Sequence, residues 1–192
     1  MQKELSPAIF LDRDGTLHAD KEYLIRFEDF SPLPGVEEAL RMLRDAGFRL
    51  FVASNQSGVA RGFFSLEDVR ALNARMRDYF LAEGIDIEDW AVCPHYPGGI
   101  VPEYSRECDC RKPKPGMLLD LARRHGLDLS RSYMVGDKLR DAQAGIAAGA
   151  TGALIHANSA ISLDNQKGLK EFPSILDFAK SVRGANANHA SQ

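Results

Sequence analysis

Two carboxylates stand two positions apart in Asp12-Arg13-Asp14-Gly15-Thr16, directly after the apolar run Ala8-Ile9-Phe10-Leu11. A short apolar run broken by Asp and Gly reads as a buried strand ending in a tight turn. Carboxylates so placed can divide labour: one attacks a phosphorus atom while the other moves protons. Asp-Gly pairs also make ordinary turns, so this pair takes its meaning from what else lies at strand ends. A second group is Cys93-Pro94-His95 with Cys108-Asp109-Cys110, a C-x-H-x12-C-x-C spacing that takes in every cysteine of the chain. Three thiolates and an imidazole suit tetrahedral Zn²⁺, and four protein ligands leave no position for water, so this site reads as structural. Arg111 and Lys112 follow Cys110 immediately. A metal that offsets the entropy of closing the loop would aim both cations at a substrate phosphate, which Arg111 can grip bidentately.

The elements that must carry these residues alternate along the chain. Strands are expected over 8–12, 49–54, 90–93, 132–135 and 151–155, the last clear one. Helices are expected over 35–46, 65–83, 117–125, 140–148 and 174–182, with Ser65 as an N-cap and Gly47, Gly84 and Gly126 as stops. A Pro-, Gly- and charge-rich loop spans 94–115, and loops of that length are usually functional or pinned. The alternation predicts an α/β class: a Rossmann-like, mostly parallel sheet with helices on both faces. One domain is expected over 1–183, followed by a flexible tail over 184–192. Ligands bind at the C-terminal ends of such strands, where the chain places Asp12, Asp14, Ser54, Asn55, Gln56 and Asp137.

Composition limits the function classes. The 192 residues are 44% hydrophobic and 27% charged, as in an ordinary soluble globular domain. A net charge of -3 argues against general nucleic-acid binding but leaves room for a local cationic pocket. No apolar run of about 18 residues predicts a membrane span, and Met1-Gln2-Lys3-Glu4 lacks the apolar core of a signal peptide. Three cysteines, an odd number, suit a reducing compartment. A cytoplasmic location without membrane or nucleic-acid partners is the expectation.

In order, DxDGT at 12–16, Ser54 after an apolar strand, Lys112, and Gly136-Asp137 resemble the four motifs of the haloacid dehalogenase superfamily of phosphatases, over nearly the whole chain. The resemblance implies that Asp12 is the nucleophile and forms an aspartyl-phosphate. It implies that Asp14 protonates the leaving oxygen and then activates water. Ser54 and Lys112 would hold the phosphoryl oxygens. Asp12, Asp137 and the backbone carbonyl of Asp14 would hold Mg²⁺, a hard ion that takes oxygen ligands. The superfamily often has Asp where this chain has Lys138, which leaves Lys138 to offer charge to the substrate. Asp141 is expected to orient Lys112 or the metal shell.

Together with the zinc loop, SNQSGVARG at 54–62, CRKPKPGM at 110–117 and YMVGDK at 133–138 resemble the D-glycero-D-manno-heptose 1,7-bisphosphate 7-phosphatase family. That family is cytoplasmic, largely monomeric and Mg-dependent, and serves surface-glycan (lipopolysaccharide) precursor synthesis. The related histidinol-phosphate phosphatases share the metal pattern with a shorter His-to-Cys stretch. They are the alternative, as are a nucleic-acid 3′-phosphatase and a zinc-stabilised binding module. No large cap domain is expected. Substrate contacts, for a small sugar bisphosphate, therefore fall to a flap over 18–30 with Asp20, Lys21, Glu22 and Tyr23, and to Asn55, Gln56, Arg111 and Lys138. Arg61 reads equally as a second-phosphate contact or an exposed arginine. His18, His125, His156 and His189 lack motif partners and receive no role.

Overall fold

The computed structural model describes residues 5–21, 23–156 and 167–187. Its sheet holds six strands in the order β3-β2-β1-β4-β5-β6, all parallel. They are β1 (Ala8–Leu11), β2 (Arg49–Asn55), β3 (Ile87–Cys93), β4 (Tyr133–Gly136), β5 (Thr151–Ile155) and β6 (Leu169–Phe172). The helices are α1 (Val36–Asp45), α2 (Leu66–Ala82), α3 (Gly116–His125), α4 (Leu139–Ala148) and α5 (Ile175–Ala187). All four residues of β1 are fully buried, which explains its unbroken apolar run: a central parallel strand is covered on both faces. Ile9 and Leu11 face a core shared with Leu40, Leu43, Phe80 and Phe178, whereas Ala8 and Phe10 face one shared with Phe51, Leu118 and Leu121.

The α/β class and the two-sided helix layers match the expectation. Ser65 caps α2 in a capping box with Asp68, accepting from its backbone N–H at 3.0 Å. Three expectations need correction. β3 begins at Ile87, three residues before the expected start, because Glu88 pairs with Arg49 and Asp89 with Arg124 and His125. β6 was not expected. It is a four-residue edge strand, LKEF, whose residues are half-buried or exposed, so no apolar alternation marks it. Finally, α5 continues to Ala187, so 184–187 of the expected tail are helical; the remainder of that tail lies outside the described residues. No described helix is long and apolar enough to cross a membrane.

Register sets the site. Leu11 stands level with Val52 on one side and Val135 on the other. The ladder runs one residue further, with the Asp12 N–H donating to Val135 O at 2.8 Å. The chain therefore leaves three adjacent strands at one end of the sheet, carrying Asp12, Ser54 and Asp137 there together.

Candidate active site

Lys112 is the hub. Its side chain is 1% exposed, and Nζ donates to Asp12 Oδ1 at 2.6 Å and to the Ala53 carbonyl at 2.6 Å, and lies 2.8 Å from Asp141 Oδ1. Asn55 seats this lysine from both sides of its backbone: its Nδ2 donates to Lys112 O at 3.0 Å, and its Oδ1 accepts from Lys112 N at 3.1 Å. Burial works against the ammonium, but Asp12 and Asp141 outweigh it and raise the Lys112 pKa. Burial pushes Asp12 up to about 7, with Lys112 opposing and Asp141 adding to the rise. Asp141, fully buried, also accepts from the Lys138 backbone N–H at 3.1 Å and so closes the first turn of α4.

Asp14 points into a different set of partners. Its Oδ1 accepts from Arg13 Nε at 3.1 Å, Arg13 Nη2 at 2.9 Å and His18 Nε2 at 2.9 Å, while Oδ2 accepts from Gln56 Nε2 at 2.7 Å. Burial pushes Asp14 up, yet Arg13 and His18 outweigh it and hold the carboxyl well below the usual range. Gln56 also donates to Ser54 Oγ at 2.8 Å, and Ser54 is fully buried. Arg13 and His18 are missing from the candidate residues read from sequence. Arg13, the variable position of DxDGT, is fully buried and anchored by Asn73 Oδ1 at 3.0 Å. The available signal was its position: a cation between two carboxylates at the end of a buried strand must be paired. For His18 the signal was its spacing, four residues after Asp14.

The other candidates divide. Asp12, Asp14, Asp20, Tyr23, Asn55 and Gln56 line one cleft of about 220 Å³, joined by Ser57 and Arg140. Tyr23 packs edge-on against Phe63, ring centres 4.8 Å apart. Lys138 Nζ sits 2.7 Å from Asp137 Oδ2 and 3.8 Å from Asp20. Lys21 turns away from the cleft and donates to Asp29 O at 2.9 Å. Arg111 gives Nη1 to His95 O at 3.1 Å and lies over the Tyr96 ring, which Arg61 also covers at 4.1 Å. Arg111 thus braces the loop and Lys112 holds Asp12. Glu22 lies outside the described residues.

Two groups of side chains fit metals. Oxygens of Asp12, Asp137 and Asp141 lie within 4.8 Å of one another. Asp137 Oδ1 is buried without a hydrogen-bond partner, and burial raises the Asp137 pKa against the pull of Lys138 on its other oxygen. Gly15 keeps this corner open: at φ +84° its missing Cβ would stand 2.4 Å from Asp137 Oδ2. In the long loop, Cys93 Sγ lies 3.6 Å from Cys108 and 3.2 Å from Cys110, Cys108 lies 3.4 Å from Cys110, and His95 Nδ1 lies 3.3 Å from Cys110 and 3.7 Å from Cys93. A Zn–S bond of about 2.3 Å implies tetrahedral edges of about 3.8 Å, so the cluster needs only slight expansion to hold the ion. Hydrogen bonding from Cys93 draws the Cys110 thiol down to about 5 and pushes Cys93 up in exchange. The loop docks on the segment after β2, where Ala60 O accepts from Ile100 N at 2.8 Å and Val101 N at 3.0 Å.

Comparison with known proteins agrees with this geometry. Residues 11–149 match the family model for the haloacid dehalogenase-like hydrolases. The chain is 41% identical over 180 residues to the D-glycero-beta-D-manno-heptose-1,7-bisphosphate 7-phosphatase of Yersinia pestis, covering 92% of this chain and 95% of that one. It is 48% identical over 143 residues to the same enzyme of Escherichia coli K12, covering 74% of each. Among solved structures it resembles D,D-heptose 1,7-bisphosphate phosphatase from B. bronchiseptica, complexed with magnesium and phosphate, with a TM-score of 0.81 at 30% identity over 93% of this chain and 99% of that one. Near-complete coverage at such identity, on a sheet whose strand ends gather the motif residues, means that the chain belongs to the haloacid dehalogenase-like hydrolases and, within them, to the D-glycero-beta-D-manno-heptose-1,7-bisphosphate 7-phosphatase family.

Proposed function

We propose that this phosphatase removes the 7-phosphate of D-glycero-β-D-manno-heptose 1,7-bisphosphate, with Asp12 as nucleophile. The observation that carries the reading is the Lys112 bridge. One oxygen of Asp12 is fixed by Nζ at 2.6 Å, while Asp12 itself lines the cleft. A carboxylate oriented on one oxygen keeps the other for attack on phosphorus, splitting hydrolysis into formation and breakdown of an aspartyl-phosphate. Asp14 enters ionised, which suits activation of water in the second step. In the first step a phosphate beside it supplies the negative charge that raises its proton affinity, so it can protonate the leaving oxygen. Ser54, fully buried behind Gln56, is assigned to the phosphoryl oxygens. Asp12, Asp137 and the Asp14 carbonyl would hold Mg²⁺, which when bound neutralises phosphoryl charge. Asp20, Tyr23 and Gln56, which line the cleft, are assigned to the sugar. Asn55 acts by seating Lys112.

The β-anomer is taken from the names of the relatives. The reading extends to a monomer in the cytoplasm, where three reduced thiols persist. It is tested by Mg²⁺-dependent phosphate release from both anomers of the heptose bisphosphate and from histidinol phosphate. The β-anomer is expected to be turned over most efficiently. Preference for histidinol phosphate would keep the chemistry and overturn the substrate.

Zinc at Cys93, His95, Cys108 and Cys110 is assigned a structural role. Lys112 follows Cys110 by two residues, so a loosened loop releases the hub of the site. Cys108→Ser should lose bound zinc, and kcat should fall about 10- to 100-fold. Unchanged metal content and turnover would remove zinc from the account.

A further inference from the structure

The buried face of α2 carries Val69, Leu72, Asn73, Met76 and Phe80. All but Asn73 are apolar, as a helix laid on a core requires, and Asn73 is an amide only 5% exposed. A buried amide is costly unless it is hydrogen-bonded. Asn73 meets that condition through Oδ1, which accepts from Arg13 Nη1 at 3.0 Å. Arg13 is itself fully buried, and its other donors turn to Asp14 and the flap. Nε and Nη2 both donate to Asp14 Oδ1, at 3.1 and 2.9 Å, and Nη2 lies 3.5 Å from the Leu24 carbonyl. A guanidinium beside a carboxylate commonly takes both oxygens as a fork. Here both N–H groups converge on Oδ1, which His18 also holds, and Oδ2 is left to Gln56 on the side of Ser54.

We infer that Asn73 is a positioning residue for the proton-transferring carboxylate: by holding Nη1 of Arg13 it confines the guanidinium to one oxygen of Asp14 and keeps the other available for the reaction. The inference rests on the proton-transfer role assigned to Asp14 above. Without an acceptor at residue 73, a buried Nη1 loses its partner. The fork then regains its usual freedom to turn onto both oxygens of Asp14, in competition with Gln56. Asn73 lines not the catalytic cleft but a separate cavity of about 340 Å³ between α2 and β3, with Leu66, Ala74 and Trp90. It therefore reaches the reaction only through Arg13, and its effect belongs to kcat and not to KM. The same cavity gives a larger side chain room, so leucine can replace the amide while extending the apolar face of α2.

The test is a double-mutant cycle of Asn73→Leu with Asp14→Asn, read on D-glycero-D-manno-heptose 1,7-bisphosphate. In the wild-type background Asn73→Leu should lower kcat about 10- to 100-fold, a share of what general acid–base catalysis supplies, with KM changed less than about threefold. In the Asp14→Asn background the same substitution should change kcat less than about twofold, because the carboxylate it acts through is gone. Asn73→Asp keeps an acceptor for Nη1 and should stay within about threefold of the wild type. Asn73→Ala removes the acceptor without adding volume, and takes the place of leucine in the cycle if that variant does not fold. An equal loss in both backgrounds would make Asn73 a packing residue and overturn the inference alone, as would an undiminished kcat in Asn73→Leu. Turnover by Asp14→Asn close to that of the wild type would overturn the inference together with the role of Asp14.

Discussion

Asp12→Asn is expected to lower kcat at least about 10⁴-fold while leaving the fold intact. The loss follows from removing the carboxylate proposed to form the covalent intermediate. The intact fold follows from the electrostatics. Burial and Asp141 raise the Asp12 pKa from 3.8 to about 7 against the pull of Lys112, so the metal-free site already accommodates a neutral group there, and asparagine is nearly isosteric with it. The sign of the pH effect is definite. A carboxyl whose pKa is raised by folding binds extra protons in the native state, so its contribution to stability is complete below about pH 4 and is lost as pH rises to about 7. Metal-free wild type should therefore lose stability across that window relative to Asp12→Asn, and Mg²⁺ should restore it at neutral pH. Thermal melts of both proteins from pH 4 to 8, with and without Mg²⁺, read this directly; parallel profiles would show that Asp12 is not a buried, burdened acid.

Lys112→Met should be the most damaging substitution for both stability and activity. Methionine fills much the same volume, so the effect isolates charge. Asp12 and Asp141 would face each other in a site where their side chains are 8% and 0% exposed. Breaking a buried pair by removing one partner costs about 3–5 kcal/mol, or roughly 10 °C in Tm for a chain of this size. Turnover should fall about 10³-fold with loss of the group that orients the nucleophile and neutralises the phosphoryl oxygens. Adding Asp141→Asn removes one unpaired charge and should recover much of the stability and none of the activity. Recovery of both would mean that the lysine serves the fold alone.

Much of this was legible in the chain because the physics was local. Ala8 to Leu11 reads as a central strand because burial on both faces demands an unbroken apolar run, and Ser65 reads as a cap because Asp68 stands three residues on. Cys93, His95, Cys108 and Cys110 could be grouped by spacing alone. What escaped depended on partners distant in sequence. Arg13 is held by Asn73, sixty residues away, so nothing nearby marks it as buried. Glu88 and Asp89 look like loop residues until Arg49, Arg124 and His125 are seen to pair with them. β6 carries little apolar surface because an edge strand needs little. Asn55, read as a substrate contact, lines the cleft and also clasps the backbone of Lys112, a pairing invisible until the long loop folds back.

The order β2-β1-β4 at the centre of the sheet separates what this molecule does from what it does it to. Asp12, the buried Ser54 and the acidic corner at Asp137 are fixed by the register of three adjoining strands, which no surface change can shift without dismantling the core. Asp20, Tyr23 and Arg140 stand on the flap and on the first turn of a helix, where replacement disturbs little packing. A lineage can therefore exchange one ester for another by rewriting the rim while inheriting the reaction unchanged. The loop that carries Cys93, His95, Cys108 and Cys110 is the exception: it departs from the sheet, yet it returns Lys112 to the end of β1.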